Sequence, residues 1–379
     1  MLYWIIQSRW DERLRSEVPF IVGGATLCLF LVYGHAWLAD PTQLAERGIL
    51  FVWLLATITV CVFGVVRHAD ALAESLGEPF GTLILTMSVI SIEVSLIAAV
   101  MLEGASDPTL ARDTMFSVIM IMMNGMVGLC LLSGGLLHVQ QEYNLEGARA
   151  YLAVLVPLSA IALILPRTTA SAAVEGTLSY WQATLFSIAA LVLYAIFLAL
   201  QTMRHRGFFA LPEFGEDRDG RGPEADGERR NVARHALLLL LTLLPVVGLA
   251  EYLAVMVEQG IHTFEMPTAL GGTLIALLIL APESITALRA ALANRLQRSI
   301  NLCLGSALST VALTVPVVLI ISLATHQSIT LGLADENIIM LMLTLMVSML
   351  TFSGARTNVL HGAVHLLLFF SYVVLIFNP

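Results

Sequence analysis

Apolar residues fall into eleven long runs, at 18–38, 48–67, 79–103, 112–138, 148–166, 180–203, 233–257, 266–291, 298–325, 335–353 and 358–378, separated by breaks marked by charges, glycine or proline. A hydrocarbon core about 30 Å thick needs roughly 20 apolar residues per helix. Inside that core the helix also satisfies every backbone group internally. The pattern therefore predicts an all-α membrane protein with eleven transmembrane helices. Ahead of the first run, Asp11, Glu12, Arg13, Arg15 and Glu17 follow a short apolar start, and no small-residue cleavage site lies behind it. An uncleaved chain is expected.

Composition agrees with the pattern. Of 379 residues, 58% are hydrophobic and 12% charged, with a mean hydropathy of +0.85; a soluble domain carries about 25% charged residues. A formal charge of −9 excludes nucleic acid as a partner. All 19 basic side chains are arginine, and their placement sets the topology, because cytoplasmic loops retain the positive charge. Arg9, Arg13, Arg15, Arg67, Arg149, the arginines from Arg204 to Arg234, Arg289, Arg295, Arg298 and Arg356 fall on the side of the N-terminus. Only Arg47, Arg112 and Arg167 fall opposite. The N-terminus is expected in the cytoplasm and the C-terminus outside. Cys28, Cys61, Cys130 and Cys303 sit singly in apolar runs and read as packing residues rather than a disulfide or zinc framework.

The one long hydrophilic stretch, 204–232, has the Gly/Asp/Glu/Arg composition of a linker. It divides the chain into an N-terminal segment with the first helix (1–47), a five-helix half (48–203), the linker, and a second five-helix half (233–379). An odd number of helices per half makes the second half enter the membrane from the opposite side, as an inverted repeat requires. A short echo accompanies this division. Gly81-Thr82-Leu83-Ile84 precedes Glu93, Gly272-Thr273-Leu274-Ile275 precedes Glu283, and both lie in the second helix of their half.

A charge at the bilayer centre costs about 2.5–3.5 kcal/mol on insertion scales, so intramembrane acids point to function. Glu93 lies in the hydroxyl-bearing run Ser88-Val89-Ile90-Ser91-Ile92-Glu93-Val94-Ser95. Glu283 follows Pro282, whose missing N–H leaves the carbonyl of Leu278 without its helical partner. Carboxylates beside freed carbonyls suit a hard cation, and carboxylates in low dielectric with no cation take up protons. One site then holds either a cation or protons, which is the chemistry of antiport. Asn124, Ser306 and Ser309 are candidates to line the ion path, Glu78 to attract cations at its cytoplasmic start, and Glu251 to carry protons. A packing role for the small and polar residues and a helix-start role for Glu78 remain open alternatives. His361 and His365 share a helix face but lack a third ligand, and read as buried polar contacts rather than a zinc site. In the linker, Asp217, Asp219, Gly222 and Glu228 match a calcium-loop count, but Arg221 and Pro223 interrupt it. A solvated linker is expected there.

Several runs carry a family resemblance: Val66-Arg67-His68-Ala69-Asp70, Leu76-Gly77-Glu78-Pro79-Phe80-Gly81-Thr82, Ile92-Glu93-Val94-Ser95, Pro282-Glu283, Gln297-Arg298-Ser299-Ile300-Asn301, Gly305-Ser306-Ala307-Leu308-Ser309-Thr310, Leu313-Thr314-Val315-Pro316 and Arg356-Thr357-Asn358. From about residue 60 onward the chain resembles the ChaA calcium/proton antiporters, bacterial members of the cation/calcium exchanger superfamily. The resemblance implies one extra N-terminal helix plus two inverted five-helix repeats in a bacterial inner membrane, with paired acids in the repeats. Related exchangers read G-N-x-x-E where this chain has Val89-Ile90-Ser91-Ile92-Glu93 and Ile279-Leu280-Ala281-Pro282-Glu283. The glutamates match; the glycine and asparagine do not. The expected function is exchange of cytoplasmic calcium, with sodium or potassium as further candidates, for external protons at Glu93 and Glu283, without an enzymatic activity or a cofactor. A monovalent-selective sodium or potassium/proton antiporter and a cation channel are the alternatives.

Overall fold

Among the described residues, ten of the eleven apolar runs form helices, some extending well past the run. A computed structural model describes residues 2–39, 44–76, 87–88, 90–95, 97–98, 108–168, 176–204, 206–209, 225–325 and 329–378. In chain order the helices are α1 (Leu2–Ala39), α2 (Leu44–Leu76), α3 (Leu110–His138), α4 (Leu145–Thr168), α5 (Tyr180–Met203), α6 (Ala225–Thr263), α7 (Ala269–Leu292), α8 (Leu296–Thr325), α9 (Asp335–Thr351) and α10 (Val359–Phe377). Among the described residues, eight helices are long and apolar enough to cross a bilayer, nine with the bent α7. The other two expected spans are a 17-residue helix, α9, and the run 79–103, described only at 87–88, 90–95 and 97–98. Helix α6 starts eight residues ahead of its apolar run, at Ala225 within the expected linker. Most of 204–232 lies outside the described residues, as do Glu78, the Gly81 echo and the linker acids Asp217 and Asp219.

The chain divides into two compact units that cut across the two sequence halves: residues 1–100 with 218–262, and 101–217 with 263–379. The first holds α1, α2, the residues around Glu93 and α6. Its interior is an aromatic cluster in which Phe30 meets Trp37 at 5.3 Å, Trp53 at 5.6 Å and Tyr252 at 5.3 Å between centroids. Such edge-on aromatic contacts add about 0.5–1.5 kcal/mol beyond burial. Glycine lets the helices close: a Cβ on Gly64 would lie 2.6 Å from the Cβ of Pro19.

The second unit holds α3–α5 and α7–α10 around α3, the most enclosed of its helices. At one end a two-residue ladder, β1 (Gln141–Glu142) with β2 (Arg356–Thr357), joins the α3–α4 and α9–α10 connections. The Gln141 amide donates to the Ala291 carbonyl at 2.8 Å, and the Asn144 N–H to Gln297 at 2.6 Å. Asn301 donates to the Phe209 carbonyl at 2.7 Å, so the start of the expected linker, a 3₁₀ turn at Arg206–Phe209, is docked here. At the other end the 329–334 segment donates from Thr330 to Pro108, from Leu331 and Gly332 to Gly176, and from Leu333 to Leu163. Arg112 and Arg167 sit at this end, the former reaching the Gly332 carbonyl and the latter Asp335. The arginine count thus groups loops that do meet in space within this unit. It follows that α3 and α8 run in opposite directions, as do α4 and α9, and α5 and α10. Both α3 and α8 widen to a π turn midway, at Met120–Met126 and Thr310–Thr314.

Candidate cation site

Helix α7 bends by 55° between Ala269–Ala281 and Glu283–Leu292. Proline at 282 removes a helical hydrogen bond and crowds the preceding turn, which accounts for a kink at this position. Glu283 is the first residue past the bend. It is 5% exposed, and its Oε2 is buried with no hydrogen-bond partner. Native proteins pair buried polar atoms, so a carboxylate oxygen with no protein partner retains the capacity to take a proton or a cation. Ser306 on α8 is the side chain set to hydrogen-bond this carboxyl. One turn on, the Ser309 hydroxyl donates to the Ser306 carbonyl at 3.0 Å. With Thr310 and Thr314, these residues give α8 a buried oxygen-bearing stripe through its π turn. The buried Tyr194 of α5 lies within electrostatic reach of Glu283. A lone tyrosine in an apolar helix carries no sequence signal for that role.

In the first unit Glu93 is 2% exposed, within a helical stretch at 90–95 and between buried Ile92 and half-buried Val94. Two hydroxyls of its run bond within their own helix. Ser91 donates to the Met87 carbonyl at 2.7 Å and Ser95 to the Ser91 carbonyl at 2.6 Å, the back-bonding that serine adopts within a helix. Glu251 is half-buried on α6 beside Tyr252. Among the described residues no three His, Cys, Asp or Glu side chains converge into a metal-holding group.

Asn124, a candidate for the ion path, has both ends of its amide hydrogen-bonded inside the second unit. Its Nδ2 donates to Thr344 Oγ1 at 2.7 Å, and Thr344 in turn donates to the Met340 carbonyl. Its Oδ1 lies 3.2 Å from His365 Nδ1, whose ring reaches Thr351 Oγ1 at 3.0 Å through Nε2. An amide oxygen only accepts, so His365 Nδ1 carries the hydrogen in this network. Asn124→Ala removes both of these bonds from a buried site, and a loss of about 1–3 kcal/mol is expected. Thermal melting of the purified protein measures it, and an unchanged melt would show the network to be dispensable. His361 stays outside the network, its Nδ1 buried without a hydrogen-bond partner.

A second polar cluster was not anticipated. Ser117, Thr273 and Tyr372, from α3, α7 and α10, bring three hydroxyls within 2.7–3.0 Å of one another. Thr273 belongs to the Gly-Thr echo, and its neighbour Gly272 packs against the α3 backbone: a Cβ there would lie 2.7 Å from the Thr114 nitrogen. In this half, the echo marks a helix crossing.

The described residues form a nearly all-helical bundle with a buried acid at a mid-helix bend, the architecture of a multi-pass membrane protein. The chain belongs to the sodium/calcium exchanger protein family, whose profile matches residues 47–203 and 234–378, and so to the cation/calcium exchanger superfamily. It is 40% identical over 363 residues to the sodium-potassium/proton antiporter ChaA of Escherichia coli (strain K12), covering 96% of each chain. It is 41% identical over 335 residues to y4hA of Sinorhizobium fredii (strain NBRC 101917 / NGR234), named as an ionic transporter, covering 88% of this chain and 90% of that one. The fold is that of native YfkE, with a TM-score of 0.71 at 17% identity, covering 95% of this chain and 100% of the other.

Proposed function

We propose that this protein is a proton-coupled cation antiporter that exports cytoplasmic calcium, with sodium or potassium as further cargo, in exchange for external protons. Glu93 and Glu283 are its paired exchange groups. Deprotonated, they hold the cation; emptied toward the outside, they reload with protons and return. Ser306 and Ser309 supply neutral oxygens on the path, Glu78 attracts cations at the cytoplasmic start, and Glu251 carries protons. Two protons against one divalent ion make the cycle electroneutral; one suffices for a monovalent ion. The observation that carries this reading is the buried, unpartnered Oε2 of Glu283 beside Ser306, just past the α7 bend.

The proposed architecture has eleven helices, one extra at the N-terminus and two inverted repeats of five, in a bacterial inner membrane with the N-terminus cytoplasmic and the C-terminus outside. The opposed directions of α3 and α8, and the π turn midway along each, support the inverted repeat. The name of YfkE as a Ca2+/H+ antiporter favours calcium. A second reading, a monovalent-selective antiporter with little calcium transport, draws on the name of ChaA as a sodium-potassium/proton antiporter at 40% identity.

Reconstituted vesicles loaded with a pH indicator test both readings. An imposed pH gradient is expected to drive calcium uptake, and added calcium to dissipate the gradient. Dissipation by sodium or potassium but not calcium selects the second reading. Cation flux that leaves the pH gradient untouched would identify a channel and refute antiport.

A further inference from the structure

Two histidines in the first unit face each other outside the site described above. His68, near the end of α2, and His235, near the start of α6, bring their Nδ1 atoms to 3.0 Å, with ring centroids 5.3 Å apart. His68 is fully buried. Two imidazole nitrogens at this separation are joined by a single hydrogen: one Nδ1 carries it and the other accepts. The contact therefore exists when both rings are neutral and when one is protonated. It cannot exist when both are, because N–H then faces N–H and two imidazolium charges repel. A zinc ion bound at about 2.0–2.1 Å to each nitrogen in tetrahedral geometry would hold them farther apart than this, so the spacing favours a shared hydrogen over a bridging metal.

The surroundings place this pair at a junction of three helices. Arg234, next to His235, is ion-paired at 3.0 Å with Glu17 of α1, and Arg67 precedes His68 on α2. These are charged groups beside the pair on α1, α2 and α6 among the described residues. The arginine count puts this end of all three helices in the cytoplasm.

We infer that His68 and His235 form a proton-operated latch between α2 and α6, through which acidification on their side of the membrane switches transport off. The latch holds with zero or one bound proton and opens with the second, freeing the start of α6 from α2. Its effect on transport rests on the antiport reading above: an exporter that brings protons inward limits its own acidification if cytoplasmic protons open the latch. A glutamine at either position still offers a donor and an acceptor to the remaining ring but never takes a proton, so it keeps the contact at acid pH.

The test uses the full-length protein in vesicles, varying pH on the side of this pair at fixed pH opposite. Wild-type exchange is expected to fall about tenfold per pH unit once the second ring titrates, as for any group that must stay unprotonated. His68→Gln and His235→Gln are expected to flatten that limb and leave the alkaline rate unchanged. An equal acid limb in both variants overturns the proposal. Independently of transport, 15N-histidine NMR should detect coupling between the two Nδ1 atoms across one hydrogen at neutral pH and its loss on acidification. Two uncoupled rings at neutral pH would overturn the latch. So would zinc binding that is tight in the wild type and lost in both variants, which would make the pair a metal site. If no wild-type exchange is seen at any pH while the NMR coupling appears and vanishes as expected, the antiport reading fails and the latch stands.

Discussion

Glu283→Gln is expected to abolish exchange in a protein that still inserts and folds. Glutamine keeps the shape and can hydrogen-bond Ser306, so the bend and the α7–α8 contact survive. What is lost is the charge. Removing one partner from a buried ionic contact costs about 3–5 kcal/mol, and with tenfold per 1.4 kcal/mol this weakens cation binding by about two to four orders of magnitude. The same substitution removes the titrating group, so no proton returns. Glu93→Gln is expected to be equally silent. The measurement is cation-dependent pH change in vesicles, alongside the melting temperature of the same preparation. Full exchange by either variant would remove that acid from the mechanism, whereas loss of exchange together with collapse of the melt would show only that the variant does not fold.

The largest loss of stability is expected at the glycines that let α3 lie against its neighbours. A Cβ at Gly272 would stand 2.7 Å from the Thr114 nitrogen and 2.8 Å from the Asp113 carbonyl carbon. A Cβ at Gly362 would collide with the Leu132 nitrogen and lie 2.9 Å from the Gly128 carbonyl oxygen. These neighbours are backbone and cannot turn aside, so helices must separate. Overpacking typically costs about 1–3 kcal/mol, and Gly272→Ala and Gly362→Ala are expected at the upper end of that range. Gly24 is the control: nothing lies within 4 Å of its added Cβ. Gly24→Ala should leave α1 unchanged or stabilise it by about 0.5–1 kcal/mol, the ordinary gain of alanine in a helix. Melting curves of the three variants decide this. Equal curves would mean that the close approach of α3 to α7 and α10 contributes nothing.

Much of the helical plan was legible because the signal is local. A run such as 112–138 or 180–203 has to be a helix wherever it packs, since the bilayer leaves its backbone no other partner. The positions of Arg112, Arg167, Arg149 and Arg356 likewise foretold which connections gather at each end of the second unit, because sidedness depends on charge count along the chain. Glu283 stood out for the same reason, as an acid after a proline in an otherwise apolar helix. Asn124 shows the limit of such reading. A polar residue beside a glycine in the fourth run looks the same whether it lines a path or packs, and its partners Thr344 and His365 lie 220 and 241 residues away. Nothing near Tyr194, Ser117 or Tyr372 in the chain could signal their neighbours. Ser91 and Ser95 have partners only four residues back, so their hydroxyls bond within their own helix.

The amino-acid order alone determined that this chain is a multi-pass membrane protein, roughly where its described helices lie, which connections gather at each end of the second unit, and which acids are out of place. These follow from hydrophobicity, charge and proline chemistry, each acting over a single helix. The tertiary structure alone decided that the compact units cut across the two halves, that α7 bends by 55° to present Glu283 toward Ser306, and that Asn124 faces His365. In a membrane the apolar surface of a helix gains nothing by choosing one neighbour over another through hydrophobicity. The choice falls to close packing at glycines and to pairing of scattered polar atoms, which appear only when distant helices are brought together.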